Sequence, residues 1–248
     1  MTKATKLKML FTNAFSFFEK ETKPQKGYDI WAATYDKQPD NLMLALDEKV
    51  FCLLLENVSL RNKIVADIGC GTGRHWQKLF DKNVGRLIGF DVSIEMLNVL
   101  KKKYPACETH LLKKDLLKEF KKESFDVIVS TLTLAHIKNA NVALAEWKNI
   151  LKKNGDLIIT DFHPAALENG SKRTFTSSGK TITLKNYIYS LSDLRKYAAA
   201  LRLKEVNFIE LDINETTKQF YEKKNALHIF EKVNGTKIIY GIHFTKEK

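Results

Sequence analysis

Cysteine is scarce in this chain: three in 248 residues, Cys52, Cys70 and Cys107. They form no disulfide framework and no metal-ligand spacing, so a reduced, cytoplasmic setting is expected. Long apolar runs are missing as well. None approaches the ~20 residues that cross a bilayer, and no transmembrane segment is expected. Acidic residues fall short of basic ones, 29 against 41, which leaves a formal net charge of +12. The excess is mostly lysine spread along the chain rather than clustered between aromatics. That pattern favours a solvated surface over a nucleic-acid face. The charge would still attract anionic substrates or carrier proteins. At 44% hydrophobic and 28% charged the composition is that of an ordinary globular protein. The length suits one α/β domain with additions.

The first twenty residues carry one apolar helical face, Leu7, Leu10, Phe11, Ala14, Phe15 and Phe18, with Lys3, Lys6 and Lys8 near its start. Asn13, Ser16 and Glu19 break any signal-peptide core. The helix is expected to pack on the body or over the active site; contact with a membrane surface is the alternative. "KPQKG" (23–27) reads as a linker, and 41–57 as a helix started by Asp40 or Asn41. Strands are expected at 63–68, 86–91, 108–112, 125–130 and 156–162. Helices are expected at 74–82 with Trp76, Leu79 and Phe80 inward, from Ser93 to about Lys103, and at 141–153 before Asn154-Gly155. After residue 163 the rhythm changes. A hairpin about Ser178-Gly179, a helix from Ser190 or Ser192, and two final strands with a lysine-rich helix (217–232) between them are expected. Strands alternating with helices and apolar on both faces indicate a parallel sheet covered on both sides. Ligands then lie beyond the strands' carboxyl ends, where strand order reverses.

"VADIGCGTGRHW" (65–76) stands at such an end. It lacks the GxxxxGK[ST] spacing of a phosphate loop, and Arg74 stands where a dinucleotide fingerprint would be completed. The spacing is instead Gly69-x-Gly71-x-Gly73, with Asp67 just ahead. A carboxylate there repels a pyrophosphate and suits a cationic group. Glycines let the backbone approach a ligand and turn with φ > 0. Asp91 closes the second strand, where a carboxylate can accept from both ribose hydroxyls. Asp115 follows the third strand, within reach of an adenine amino group. A ribose, an adenine, no pyrophosphate and a cationic part describe S-adenosyl-L-methionine.

"VADIGCGTGRHW", "GFDVSIEML", "LLKKDLL" and "FDVIVSTLTLAHI" resemble the successive motifs of the class I S-adenosylmethionine-dependent methyltransferases. "GYDIWAATYDKQPDN" (27–41) resembles the opening of a small-molecule branch that includes quinone-biosynthesis C-methyltransferases and malonyl-carrier O-methyltransferases. The likeness covers about residues 27–163. It implies a Rossmann-like α/β fold, doubly wound, with a mostly parallel seven-stranded sheet and an antiparallel edge strand. N-terminal helices (1–40) and insertions at about 164–190 and 214–233 would form a lid on a methyltransferase domain, 41–248. It further implies that Asp67, Gly69, Gly71 and Gly73 border the methionine part and that Asp91 and Val92 meet ribose and adenine. Asp115 and Leu116 would hold the adenine, Ser130 and the following loop would lie under the sulfonium, and Tyr28 and Tyr35 would close over the cofactor. S-adenosyl-L-homocysteine would be the product.

The acceptor leaves less trace. "STLTLAH" is not the [ND]PP[YF] of adenine and glutamine N-methyltransferases. Ser130 at the end of strand four speaks against a magnesium site of the catechol type. A small-molecule or carrier-bound acceptor remains, with a tRNA-modifying enzyme of the same fold, or a cofactor-binding regulator without turnover, as alternatives. His163, after strand five, and His136 are the candidate bases, since an imidazole titrates near ~6.5.

Overall fold

The structure, a computed structural model, describes residues 21–113 and 116–248. The expected amphipathic helix at 1–20 lies outside them. Helix α1 (Pro24–Tyr35) opens the described chain. "KPQKG" is therefore no linker: Pro24 takes a first-turn position, where its missing N–H costs nothing, and starts the helix. Helix α2 (Leu42–Leu55) is capped by Asn41, whose side chain accepts from the Leu44 N–H.

The βα alternation follows: β1 (Ile64–Ile68), α3 (Trp76–Asp81), β2 (Arg86–Asp91), α4 (Ile94–Lys103) capped by Ser93, β3 (Glu108–Leu111), β4 (Phe125–Thr131), α5 (Ala140–Ile150) and β5 (Leu151–Phe162). After it come α6 (Pro164–Glu168), the hairpin β6 (Thr174–Ser177) and β7 (Lys180–Thr183), α7 (Leu191–Ala200) capped by Ser190, and β8 (Leu203–Asp212). Two short helices, α8 (Lys218–Glu222) and α9 (Leu227–Val233), stand where one lysine-rich helix was expected, and β9 (Lys237–Lys246) ends the fold.

Seven strands pair in the order β3-β2-β1-β4-β5-β9-β8. The first five are parallel, and β9 runs antiparallel to both β5 and β8. The antiparallel strand thus lies one place in from the edge, and β8 is outermost. Strand order reverses between β1 and β4, and the carboxyl ends of these two strands flank the crevice.

Alternation along the strands divides the core. Val65, Val127, Val129, Ile158 and Ile239 face Val50, Phe51 and Leu54 of α2, Trp76 and Leu79 of α3 and Leu97 and Leu100 of α4. Ala66, Ile128, Leu157, Ile159 and Ile242 face Leu144 and Trp147 of α5 and Leu194 and Ala198 of α7. Phe80, expected inward, is 37% exposed; the short α3 turns only Trp76 and Leu79 under the sheet. Helix α5 stops at Ile150 rather than at Lys153. Leu151 is fully buried and pairs with Phe125, so the chain is already extended there. The left-handed Asn154 then lies in an irregularity of β5.

A third cluster joins elements far apart in sequence: Trp31, Ala32 and Tyr35 of α1, Met96 of α4, and Phe175 and Leu184 of the hairpin region. Trp31 stacks on Phe175 with centroids 4.4 Å apart. Beside it Thr22 pairs with Leu184 as an isolated bridge.

Candidate active site

Four successive turns at the carboxyl edge of the sheet meet around one cavity of about 560 Å³. Ile68, Gly69 and Gly71 come from the end of β1, Asp91 and Val92 from β2, Leu112 from β3, and Thr131, Leu132 and Thr133 from β4. Helix α1 adds Tyr28 and Tyr35, and the segment after the hairpin adds Lys185 and Tyr187. The volume is that of small-molecule and cofactor sites.

Two glycines shape the floor. Gly69 has φ +79° and lies so close to Thr133 that an added Cβ would fall 2.0 Å from its hydroxyl oxygen. Gly71 has φ +53° and nothing within 4 Å of a Cβ position, so its backbone faces open space. Gly73, expected among the ligand contacts, lines no part of the cavity. It packs against Leu100 and Trp76 and serves the turn itself.

Asp91 accepts from the Gly71 N–H (2.8 Å) through one oxygen and from the Ser93 N–H (2.8 Å) through the other. Each oxygen keeps a lone pair for a further donor. Burial pushes this carboxyl up to about 6 against those backbone donors. Asp67 lies deeper, beside the same turn, and accepts from the Trp76 indole N–H at 2.8 Å. Burial raises it to about 7, because the Trp76 hydrogen bond and the nearby Arg74 offset only part of the desolvation.

The methyltransferase-domain family matches residues 66–159, the stretch that builds these four turns. Residues 66–159 are thus a methyltransferase domain, and the matched relatives support an S-adenosylmethionine-dependent methyltransferase of class I.

Among relatives, it is 27% identical over 186 residues to the ubiquinone/menaquinone biosynthesis C-methyltransferase of Campylobacter jejuni, covering 71% of this chain and 77% of that one. It is 26% identical over 171 residues to a tRNA U34 carboxymethyltransferase of Pseudoalteromonas atlantica, covering 68% and 51%. The chain thus spans about half of that enzyme, and likewise 52% of a matched Haemophilus influenzae protein. In fold it is similar to an S-adenosylmethionine dependent methyltransferase structure from Mesorhizobium loti, with TM-score 0.60, 13% identity, and coverage of 79% and 96%.

The cofactor of this methyltransferase is S-adenosylmethionine, and the cavity suits it. The open Gly71 and the buried Asp91 with lone pairs to spare offer a close backbone and a hydroxyl acceptor, and Asp67 stands beside the same turn.

Helix α1 is tied down at two places. Asp29 accepts from the Ser93 hydroxyl (2.6 Å), and Asp36 from the Thr72 hydroxyl (2.6 Å) and Lys103 (2.9 Å). These are the aspartates of the two Tyr-Asp pairs, Tyr28-Asp29 and Tyr35-Asp36, two helical turns apart. That spacing places both on one face. Beneath the glycine turn, Asp47 of α2 is fully buried and accepts from Arg74, from Thr160 and from His75 (2.9 Å). Burial would raise Asp47, but Arg74, His75 and Thr160 outweigh it and hold it below the usual carboxylate range. The buried His75 is pushed down to about 4 by desolvation and by Arg74.

Two expected site residues lie elsewhere. Ser130 is fully buried, and its hydroxyl donates to the Ile68 carbonyl (2.9 Å), tying β4 to β1. The loop that follows, Thr131, Leu132 and Thr133, does line the cavity, with Leu132 in the left-handed region at φ +50°. His163, 8% exposed, caps α6: its Nδ1 accepts from the Ala165 N–H (3.1 Å), and its Nε2–H donates to Glu210 (2.7 Å). Both nitrogens are occupied, and the ring is absent from the cavity wall. Asp115 lies outside the described residues, as does the Leu116 side chain. His136 does line the cavity, joined by hydrogen bonds to Tyr28 (3.0 Å), Arg173 (2.8 Å) and the Lys185 carbonyl (2.8 Å). Arg173, Asp29 and Asp36 were not anticipated. The seven-residue repeat of Tyr-Asp was the available signal for the aspartates; Arg173, in a segment without motif, had none.

Proposed function

We propose that this methyltransferase moves a methyl group to a small molecule, or to the small end of a carrier-bound group, seated against Tyr28, Thr133, His136 and Tyr187. The observation that carries this is the division of one cavity. Gly69, Gly71, Asp91 and Val92 form the cofactor wall, and residues from α1, the β4 turn and the post-hairpin segment form the other. Asp91 accepts from the ribose hydroxyls, Asp67 and the Gly69–Gly71 turn border the methionine part, and Val92 borders the adenine. S-adenosylmethionine supplies a carbon already activated for displacement by its sulfonium. The chain's task is to align the acceptor with it and keep water out, which contributes several kcal/mol by proximity alone. Helix α1 and the hairpin, locked by Trp31 and Phe175, serve as the lid.

Likeness to the quinone-biosynthesis enzyme supports the small acceptor. The net charge of +12 and likeness to the tRNA carboxymethyltransferase favour a tRNA acceptor as the second reading. Calorimetry with S-adenosylhomocysteine and isotope-labelled transfer into cell extract test the proposal. Asp91→Asn is expected to weaken binding by about 1–3 kcal/mol, the cost of replacing a charged hydrogen-bond acceptor. Unchanged affinity would remove the ribose assignment. Label is expected in the small-molecule or carrier fraction; label in RNA would select the second reading, and binding without product a regulator.

A further inference from the structure

Arg173 leads into β6 with only 5% of its surface exposed, and it is absent from the cavity wall. One of its terminal nitrogens donates to the Leu132 carbonyl (2.6 Å) and to Nε2 of His136 (2.8 Å). A guanidinium can only donate. Nε2 of His136 therefore bears no hydrogen, and Nδ1 carries the ring proton. The Lys185 carbonyl, 2.8 Å from Nδ1, can only accept and so requires the same tautomer. Two partners on opposite sides of the ring thus agree. The Tyr28 hydroxyl, 3.0 Å from the same Nε2, must then donate to it. A phenol has one proton, and this one is committed.

We infer that Arg173 is a positioning residue: by fixing His136 as an acceptor it turns the Tyr28 proton away from the cavity, so Tyr28 faces the methyl acceptor with lone pairs alone. A group that meets Tyr28 from the cavity must bring the hydrogen. The acceptor class is accordingly an amine, amide or hydroxyl that keeps its proton until transfer, not a carboxylate. His136 is not the base, because its lone pair is already claimed twice. This selectivity rests on the methyl-transfer reading; the tautomer does not.

The charged and titratable groups around the ring are Tyr28 from α1, Arg173 ahead of β6 and Lys185 after β7. Asp161, at the end of β5, acts on both Tyr28 and Arg173, while Tyr35 and Asp91 act on Tyr28. Burial first, and Arg173 second, push the imidazole down to about 3.

Histidine-ring nitrogen NMR on the intact protein is the test. In the wild type His136 is expected as the Nδ1–H tautomer with no titration between about pH 5 and 8, although a free imidazole titrates near ~6.5. Arg173→Met is expected to raise its midpoint, and Arg173→Lys, which keeps a donor-only cation, to hold it low. An Nε2–H tautomer, ordinary titration in the wild type, or a midpoint unmoved by Arg173→Met overturns the inference. If Arg173→Met does not fold, the wild-type tautomer and Arg173→Lys decide. For the selectivity, base-labile methyl esters among the labelled products would overturn it, and base-stable methylamines or ethers would support it. Failure of the wild type to bind S-adenosylhomocysteine would sink the methyl-transfer reading and leave the tautomer standing.

Discussion

Two carboxylates carry the proposed cofactor contacts, and both are held out of the usual range by burial, Asp67 at about 7 and Asp91 at about 6. An ammonium near Asp67 and ribose hydroxyls on Asp91 would each favour the ionised form. Binding should then expel protons in the window where these groups are still protonated in the free protein. Affinity is expected to rise as pH climbs from about 5 through 7 and to level off above. Calorimetry in two buffers of different ionisation heat would count the protons, with net release expected at pH 6 and none near pH 8.5. Proton uptake at pH 6, or no exchange, would show that neither carboxylate faces the ligand as assigned.

Among the elements, α2 and the glycine turn depend on one another. Asp47 in α2, itself fully buried, neutralises Arg74 and receives His75 and Thr160. Truncation would leave a guanidinium with its main charge partner gone. Asp47→Ala should therefore cost about 3–5 kcal/mol, the range for breaking a buried pair on one side. The Arg74 Nε already lacks an acceptor, so the guanidinium has little to fall back on when the carboxylate goes. Denaturant titration would measure the loss, and a cost below about 1 kcal/mol would mean that water enters and solvates the pair. The same variant should lose cofactor affinity, because the turn that holds Gly69 and Gly71 is anchored through Arg74.

For the whole molecule, the question is what the charge of +12 is for. A nucleic-acid acceptor would release counterions on binding, and its affinity would drop ~10³–10⁵-fold between about 50 and 200 mM salt. A small acceptor held inside the cavity, with the lysines dispersed over the surface, should lose less than about tenfold over that range. Methyl transfer followed against ionic strength separates the two. Among the described residues no helix is long and apolar enough to cross a membrane.

What the sequence determined by itself was local and periodic. Strands at 86–91 and 125–130, the Ser93 cap, the glycine turn and Asp91 at a strand end were legible because apolar alternation, capping side chains and positive-φ glycines act within a few residues. "KPQKG" misled because proline marks a break and a helix start alike, and the choice depended on what Trp31 and Tyr35 could bury against. Tertiary structure decided the rest. Only folding showed that Ser130 faces Ile68 rather than the cavity, that His163 is used up by Ala165 and Glu210, and that β9 inserts ahead of β8. Arg173 lies 37 residues beyond His136 along the chain, yet meets it at 2.8 Å. No local signal encodes that contact, because it comes from the hairpin folding back on the sheet edge and burying Phe175 against Trp31.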